Sequence, residues 1–310
     1  MGILVCGAVM VDIKGYPIDK YIPGGRNAGR VVQVYGGVSR NIVEDIANIG
    51  LHPSYLSVVD ETPVGRDIVA QLAARGVDTQ YVRSAPDGLG MWLAIFGNNG
   101  DVIASISKRP DDRAILDTIN EHGDEIVAAA DSIALEMDMQ EKIVRKMIKL
   151  AYKHGKKVFA VISNMSIMLE RRELLKAAHC LVCNEQEAGM LFTEDYSGME
   201  ATDVADLIKN RARSAGIPRM IVTLGPRGAV YADTTYIGDD DLSKGVCQPR
   251  KVDVVDTTGA GDAFFAGVAA GMTYGKDIRQ ACEMGTRMAS AVIATRESVC
   301  PRFMPKEFGL

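Results

Sequence analysis

Residues 256–262 read Asp256-Thr257-Thr258-Gly259-Ala260-Gly261-Asp262, and an apolar run from Ala263 to Gly271 follows at once. Small residues ahead of a helix let backbone N–H groups converge on one point, where the helix adds its unpaired donors and partial positive charge. That is an anion site. Asp262 closes the turn with a carboxylate that would repel an anion, so its presence points to chemistry: a base beside a stabilised phosphoryl group. The other reading is a Gly-rich strand–helix turn with an acidic N-cap. Two Asp, two Thr and two Gly in seven positions exceed what a cap requires.

Four further positions carry side chains or turns suited to binding. Asp12 is placed at the end of the first strand, where ligands sit in a parallel sheet. A carboxylate there can accept from two vicinal hydroxyls, or it can serve a turn. Gly36-Gly37 opens a helix with Asn41 one turn in. A double glycine permits close approach of a ligand to the backbone, and an amide both donates and accepts; a hinge with a surface Asn is the plainer alternative. Asn184-Glu-Gln-Glu187 follows an apolar strand and has the spacing of a capping box. Thr223-Leu-Gly225-Pro-Arg-Gly228 follows another and, on its own, reads as a hairpin turn. Cys180-Leu-Val-Cys183 lacks the second pair that zinc or redox chemistry needs and reads as core strand.

Positioning these groups requires an ordered scaffold, and the hydrophobic periodicity supplies one. Strands are expected at Ile3–Ala8, Ser54–Val59, Ser132–Glu136, Lys157–Ile162, Cys180–Cys183 and Arg219–Thr223. A β-rich run, Lys251–Val255, leads into the anion turn. Helices are expected at Gly37–Ile49, Val64–Arg75, Ala114–Ala130, Gln140–His154, Ser166–Ala177, Glu185–Phe192, Ala201–Ala215, Ala260–Tyr274 and Lys276–Arg296. Strands alternating with helices give βαβ units, a parallel sheet and right-handed crossovers. Two segments break the alternation: about 12–36, rich in Gly and Pro, and about 90–108, an imperfectly alternating pair of runs around the turn signal Asn98-Asn-Gly100. Together they read as a small β-lid inserted in one 1–310 domain, or as a hairpin extending the main sheet. Trp92 in the lid either stacks on a ligand or packs. Met91, Trp92, Ile95 and Phe96 give the lid an apolar face that would favour burial in a homodimer.

With 310 residues, nearly half of them apolar, the chain can bury a large core. A net charge of −5 and no basic block exclude nucleic acid as the expected partner. No apolar run approaches the roughly 18 residues that span a bilayer. The N-terminal apolar run is short, lacks a basic leader and reads as a buried strand. Six scattered cysteines fit a reducing cytoplasm.

The 256–262 segment resembles the second signature of the PfkB, or ribokinase-like, carbohydrate kinases. The resemblance extends through Gly7-Ala-Val-Met-Val-Asp12, Gly36-Gly37-Val-Ser-Arg-Asn41, Asn184-Glu-Gln-Glu187 and Thr223-Leu-Gly225-Pro-Arg-Gly228, and so covers most of the chain. It implies a three-layer αβα body with a mostly parallel sheet and a β-sheet lid. It also implies transfer of the ATP γ-phosphate to a primary hydroxyl, with Asp262 as base and the amides of Gly259, Ala260 and Gly261 holding the transferring charge. Asp12, Gly36, Gly37, Arg40 and Asn41 would bind the acceptor, and Asn184, Thr223, Gly225 and Gly228 the ATP. Glu187 would hold Mg2+ through water, and Asp256 with Thr258 match a K+ site of some relatives. Gly15-Tyr16, the Pro-rich approach and Arg40 look most like the pseudouridine kinase branch; kinases of free sugars or of other nucleosides are the alternatives. Ser39, Val43 and Val161-Ile162-Ser163-Asn164 depart from the common pattern, which has small residues at the first two places and Asp-Pro after the middle strand. A non-catalytic sensor on the same fold is a separate class. A NAD-dependent dehydrogenase is disfavoured, because no G-x-G-x-x-G follows the first strand.

Overall fold

A computed structural model describes residues 2–97, 101–237 and 242–310. The chain begins with β1 (Leu4–Cys6), β2 (Met10–Pro17), β3 (Gly29–Gly36) and α1 (Val38–Asn48). Next come β4 (Ser54–Val59), α2 (Pro63–Ala74), β5 (Val82–Ser84), β6 (Gly90–Phe96) and β7 (Val102–Lys108). The middle holds α3 (Arg113–Ala129), β8 (Ser132–Glu136), α4 (Glu141–Lys153), β9 (Lys157–Val161) and α5 (Met165–Leu169). Then follow β10 (Cys180–Asn184), α6 (Glu185–Phe192), α7 (Ala201–Ala215) and β11 (Arg219–Thr223). The last elements are β12 (Ala229–Asp233), β13 (Lys244–Cys247), α8 (Ala260–Thr273) and α9 (Ile278–Ile293).

The main sheet has the order β13-β12-β11-β10-β9-β8-β1-β4-β5. It is parallel from β5 to β11, and β12 runs against both its neighbours. Successive residues of each strand enter opposite cores, as the strand period of 2 requires. Leu4, Ile133, Leu135, Val158 and Leu181 face one helix layer, packed by α3, α4, α6 and α7. Val5, Tyr55, Ala134, Phe159 and Ile221 face the other, packed by α1, α2, α8 and α9. The body therefore has three layers, as expected. The strand order turns back at β1, which has β4 on one side and β8 on the other, and a crevice opens at such a point.

The second sheet has the order β3-β2-β6-β7, with antiparallel outer pairs and a parallel β2–β6 pair. It contains both segments that broke the alternation. The expected turn at Asn98–Gly100 lies outside the described residues.

Three expectations need correction. Asp12 does not end the first strand: β1 stops at Cys6, and Asp12 is the third residue of β2 in the small sheet. The chain leaves one sheet for the other at Gly7, where a Cβ would overlap Glu136 and Ser39. Lys251–Val255 forms no strand; Val254 and Val255 are exposed, and the Val255 N–H is held by the Ile293 carbonyl at 2.7 Å. The helix expected at Ser166–Ala177 splits into α5 and a 3-10 turn, Arg172–Ala177. The break falls in the charged run Glu170–Glu173, where Arg171 bonds the Met139 carbonyl at 2.8 Å.

Candidate active site

Gly259 caps α8 with φ 81°, a left-handed conformation. A Cβ here would overlap the Ser298 carbonyl, so only glycine lets the turn lie against the C-terminal loop. Asp256 Oδ1 accepts from the Thr258 N–H at 2.8 Å and tightens the approach. The Ala260 N–H bends back to the Thr257 carbonyl at 3.3 Å, whereas those of Gly259 and Gly261 have no protein partner among the described residues. Nothing lies within 4 Å of where a Gly261 Cβ would stand, so the turn opens onto free space. These are the donors of a helix N-terminus, aimed outward.

Asp262 sits in the first turn of α8 and is partly accessible. Asn41 Nδ2 donates to its Oδ2 at 2.8 Å, tying α1 to α8. Burial pushes the Asp262 carboxyl up to about 7; the charges of Glu136 and Glu187 add to this, and the Asn41 bond opposes it. A carboxyl poised near neutrality beside an anion turn is a competent general base. Glu136, at the end of β8, went unnoticed in the sequence. Its Oε2 accepts from the Ala8 N–H at 3.0 Å and its Oε1 from Ser163 Oγ at 3.1 Å, and burial, then the Asp138 charge, raise it to about 7. A carboxylate closing an apolar parallel strand was the available signal.

A cavity of about 250 Å³ lies between the small sheet and the anion turn. Asp12, Gly36, Asn41, Asp256 and Thr258 line it, which brings together five of the expected residues. A Cβ on Gly36 would come within 3.0 Å of Asp12 Oδ2, so this glycine keeps the carboxylate open to the cavity. Burial raises the Asp12 carboxyl, and Lys14 counteracts part of that. Gly37, with φ 104°, starts α1 where a Cβ would press on Ala8 and Met10 at 2.9 Å. Lys14, Tyr16, Arg30 and Arg296 also line the cavity and were not foreseen.

Two of the acceptor-side expectations, Gly37 and Arg40, do not line this cavity: Gly37 serves as the N-cap of α1, and Arg40 turns away from it. Its side chain is buried in an ion pair with Glu44 at 2.5 Å, and Nη1 donates to Asn41 Oδ1 at 3.1 Å. The α-helical i,i+4 spacing turns the guanidinium along α1 toward Glu44. Arg40 thus fixes the amide so that Asn41 presents Nδ2 to Asp262.

The remaining residues gather at the neighbouring ends of β10 and β11, where Asn184 pairs with Thr223. Asn184 and Glu187 do form a capping box, with both reciprocal bonds at 2.8 Å. Burial, together with the Asp138 charge, nonetheless raises the Glu187 carboxyl against the pull of the Asn184 N–H. Gly225 and Gly228, at φ 58° and 88°, close the turn between β11 and β12, so the hairpin reading of this segment holds as geometry. No group of three or more His, Cys, Asp or Glu among the described residues could cage a metal directly. No helix among them is long and apolar enough to cross a membrane.

An outward-facing turn of backbone N–H donors, a carboxyl near neutrality and a cavity lined by carboxylate and amide groups beside it are parts that phosphoryl transfer can use, since it depends mainly on positioning and charge. Comparison with known proteins agrees. The pfkB family carbohydrate kinase profile matches residues 2–301. The chain is 31% identical over 297 residues to a guanosine-inosine kinase of Exiguobacterium acetylicum, covering 96% of this chain and 95% of that protein. It is 26% identical over 285 residues to a pseudouridine kinase of Escherichia coli (strain K12), covering 89% and 87%. Among solved structures, an Arabidopsis thaliana ribokinase complexed with ribose and ATP superposes with a TM-score of 0.81 at 21% identity, covering 99% and 96%. With family profile, curated relatives and fold in agreement, the chain belongs to the pfkB family of carbohydrate kinases and is a phosphotransferase using ATP on a sugar or nucleoside.

Proposed function

We propose that the protein phosphorylates the 5′-hydroxyl of a nucleoside, with purine nucleosides as the first choice. The observation that carries this reading is the Asn41–Asp262 bond, which joins a cavity-lining amide to a carboxylate in the first turn of α8 and so supports Asp262 as the base. Asp12 and Asn41 hold the ribose hydroxyls, and Asp262 takes the proton from the 5′-oxygen as it attacks the γ-phosphorus, whose bond to the β,γ-bridging oxygen breaks to release ADP. The amides of Gly259 and Gly261, and more weakly that of Ala260, hold the charge on the transferring group. Thr223, Gly225, Gly228 and Asn184 line the approach of ATP. The relative named a guanosine-inosine kinase, 31% identical over nearly the whole chain, supports a purine acceptor. Pseudouridine is the second reading, supported by the Gly15-Tyr16 and Gly36-Gly37-Val-Ser-Arg-Asn41 pattern and the 26% identical relative.

Magnesium is the expected companion of ATP. Glu187 has one oxygen engaged in the capping box and stands beside the charge of Asp138, a donor set suited to an ion held mainly by phosphates and water. When bound, the ion would neutralise the phosphate charge. Asp256 and Thr258 are proposed to hold K+, which potassium replacement by a large organic cation would test. On the same reading two copies pair through the small sheet, whose exposed Val31, Leu93 and Ile106 favour burial, and light scattering would report it. Six buried free thiols support a cytoplasmic site of action.

The test is ATP turnover over a panel of guanosine, inosine, adenosine, pseudouridine and ribose, with the product identified by mass and phosphorus NMR. Formation of a nucleoside 5′-phosphate is expected. Phosphorylation of ribose alone would reject the nucleoside reading and keep the reaction class.

A further inference from the structure

We infer that Arg30, held against Tyr16 on the cavity side of the small sheet, reads the 6-oxo and N7 acceptors of a purine base; this rests on the nucleoside reading above. Cross-strand partners share a face of a sheet. Asp12 pairs with Val34 and Trp92, and Tyr16 with Arg30, so Asp12, Lys14, Tyr16, Arg30 and Trp92 all project from the face that carries Asp12 toward the cavity. On that face a row of π surfaces crosses the strands. Tyr16 stacks on Phe96 at 5.0 Å and 16°, and Trp92 meets Phe96 edge-on at 6.1 Å. The Arg30 guanidinium lies 4.9 Å from the Tyr16 ring centroid.

Tyr16 is four residues along β2 from Asp12, a span of about 13 Å at the strand rise. If Asp12 holds ribose hydroxyls, a free pentose leaves the Tyr16 end empty and a nucleoside brings its base there. Arg30 forms no ion pair among the described residues, so its donors remain for a ligand. Held over the Tyr16 ring by the cation–π contact, the guanidinium carries a fork of parallel N–H groups. Guanine and hypoxanthine carry two adjacent acceptors, O6 and N7, which match the fork. Adenine puts an amino donor where O6 would be. The pyrimidine ring of pseudouridine alternates carbonyl and N–H around its edge and offers no adjacent pair. The geometry therefore selects 6-oxopurines.

The experiment measures kcat/KM for guanosine, 7-deazaguanosine, inosine, adenosine, pseudouridine and ribose in the wild type, Arg30→Met and Arg30→Lys. Wild type should prefer guanosine and inosine. Arg30→Met should lose about 10- to 100-fold on these two, with adenosine and ribose little changed. 7-Deazaguanosine, lacking the N7 acceptor, should be disfavoured by wild type and equal to guanosine in Arg30→Met. Arg30→Lys should fail to restore the preference, because it keeps charge and loses the fork. Equal losses on guanosine and adenosine, full rescue by lysine, or a wild type without 6-oxopurine preference would each overturn the inference while leaving nucleoside phosphorylation intact. If no acceptor turns over, the proposed function fails; a guanosine-induced melting shift lost in Arg30→Met would then still support base reading, and no shift would overturn it.

Discussion

Asn41 Nδ2 and Asp262 Oδ2 are joined by a 2.8 Å hydrogen bond that spans 221 positions of sequence and couples the cavity beside the small sheet to the first turn of α8. The bond favours the charged carboxylate, while burial and the charges of Glu136 and Glu187 favour the neutral acid. Asn41→Ala should therefore push the Asp262 carboxyl further up. The acid limb of the kcat/KM profile, expected near pH 7 in the wild type, should move to higher pH. A limb that does not move would separate Asp262 from the limiting ionisation.

Glu136→Gln should act in the opposite direction. Its charge raises Asp262, and glutamine keeps an acceptor for the Ala8 N–H. The acid limb should move to lower pH, with little loss of melting temperature. A shift upward would mean that Glu136 acts on something other than Asp262.

The same raised carboxyl has a consequence for stability. Between the ordinary carboxylate value and about 7, the folded chain keeps a proton on Asp262 that the unfolded chain releases. Stability from this group is therefore lost as pH rises through about 7. Asp262→Asn should melt higher than the wild type at pH 8 and near it at pH 4. Equal melting temperatures at both pH values would contradict a raised Asp262.

Gly259 and Gly261 lie two residues apart and should respond differently to alanine. Gly259→Ala forces a left-handed residue to carry a Cβ into the Ser298 carbonyl, costing on the order of 1–3 kcal/mol or more in stability along with activity. Gly261→Ala meets no protein atom, so its melting temperature should hold while kcat falls through the loss of close backbone approach to phosphate. Melting and kinetics on the two variants decide the matter; full activity in Gly261→Ala would argue against the turn as the anion site.

Arg40 is buried with its partner Glu44, which Arg75 also approaches at 3.3 Å, so Arg40→Met should cost about 1–3 kcal/mol, the carboxylate losing one of its two cations. The effect on the acceptor KM should come only through the orientation of Asn41. A large KM change with unaltered stability would return Arg40 to the binding surface.

Much of this site was legible because it is written in turns and strand ends. The glycine turn that starts α8, the double glycine and the Asn184 cap follow from local chemistry, and the alternation beyond Ala114 follows from strict periodicity. Asp12 was misplaced because the apolar run from Ile3 to Val11 does not record that the chain changes sheets at Gly7. The Arg40 ion pair was hidden because helix spacing alone does not say which face is buried. The cavity wall at Arg296–Ser298 depends on contacts far apart in sequence: Asp45 Oδ1 accepts from the Cys300 N–H at 2.6 Å, and Asn48 donates to the Cys300 carbonyl at 2.8 Å. β12 and β13 escaped notice because pairing with β11, and not their own short patterns, makes them strands.

The most direct measurement is acceptor-dependent ADP release from Mg-ATP by the wild type and by Asp262→Asn, with ATP binding followed in parallel. Turnover with a nucleoside should fall about 10²- to 10⁴-fold in the variant while ATP still binds. Undiminished turnover in Asp262→Asn would contradict the assignment of Asp262 as the base.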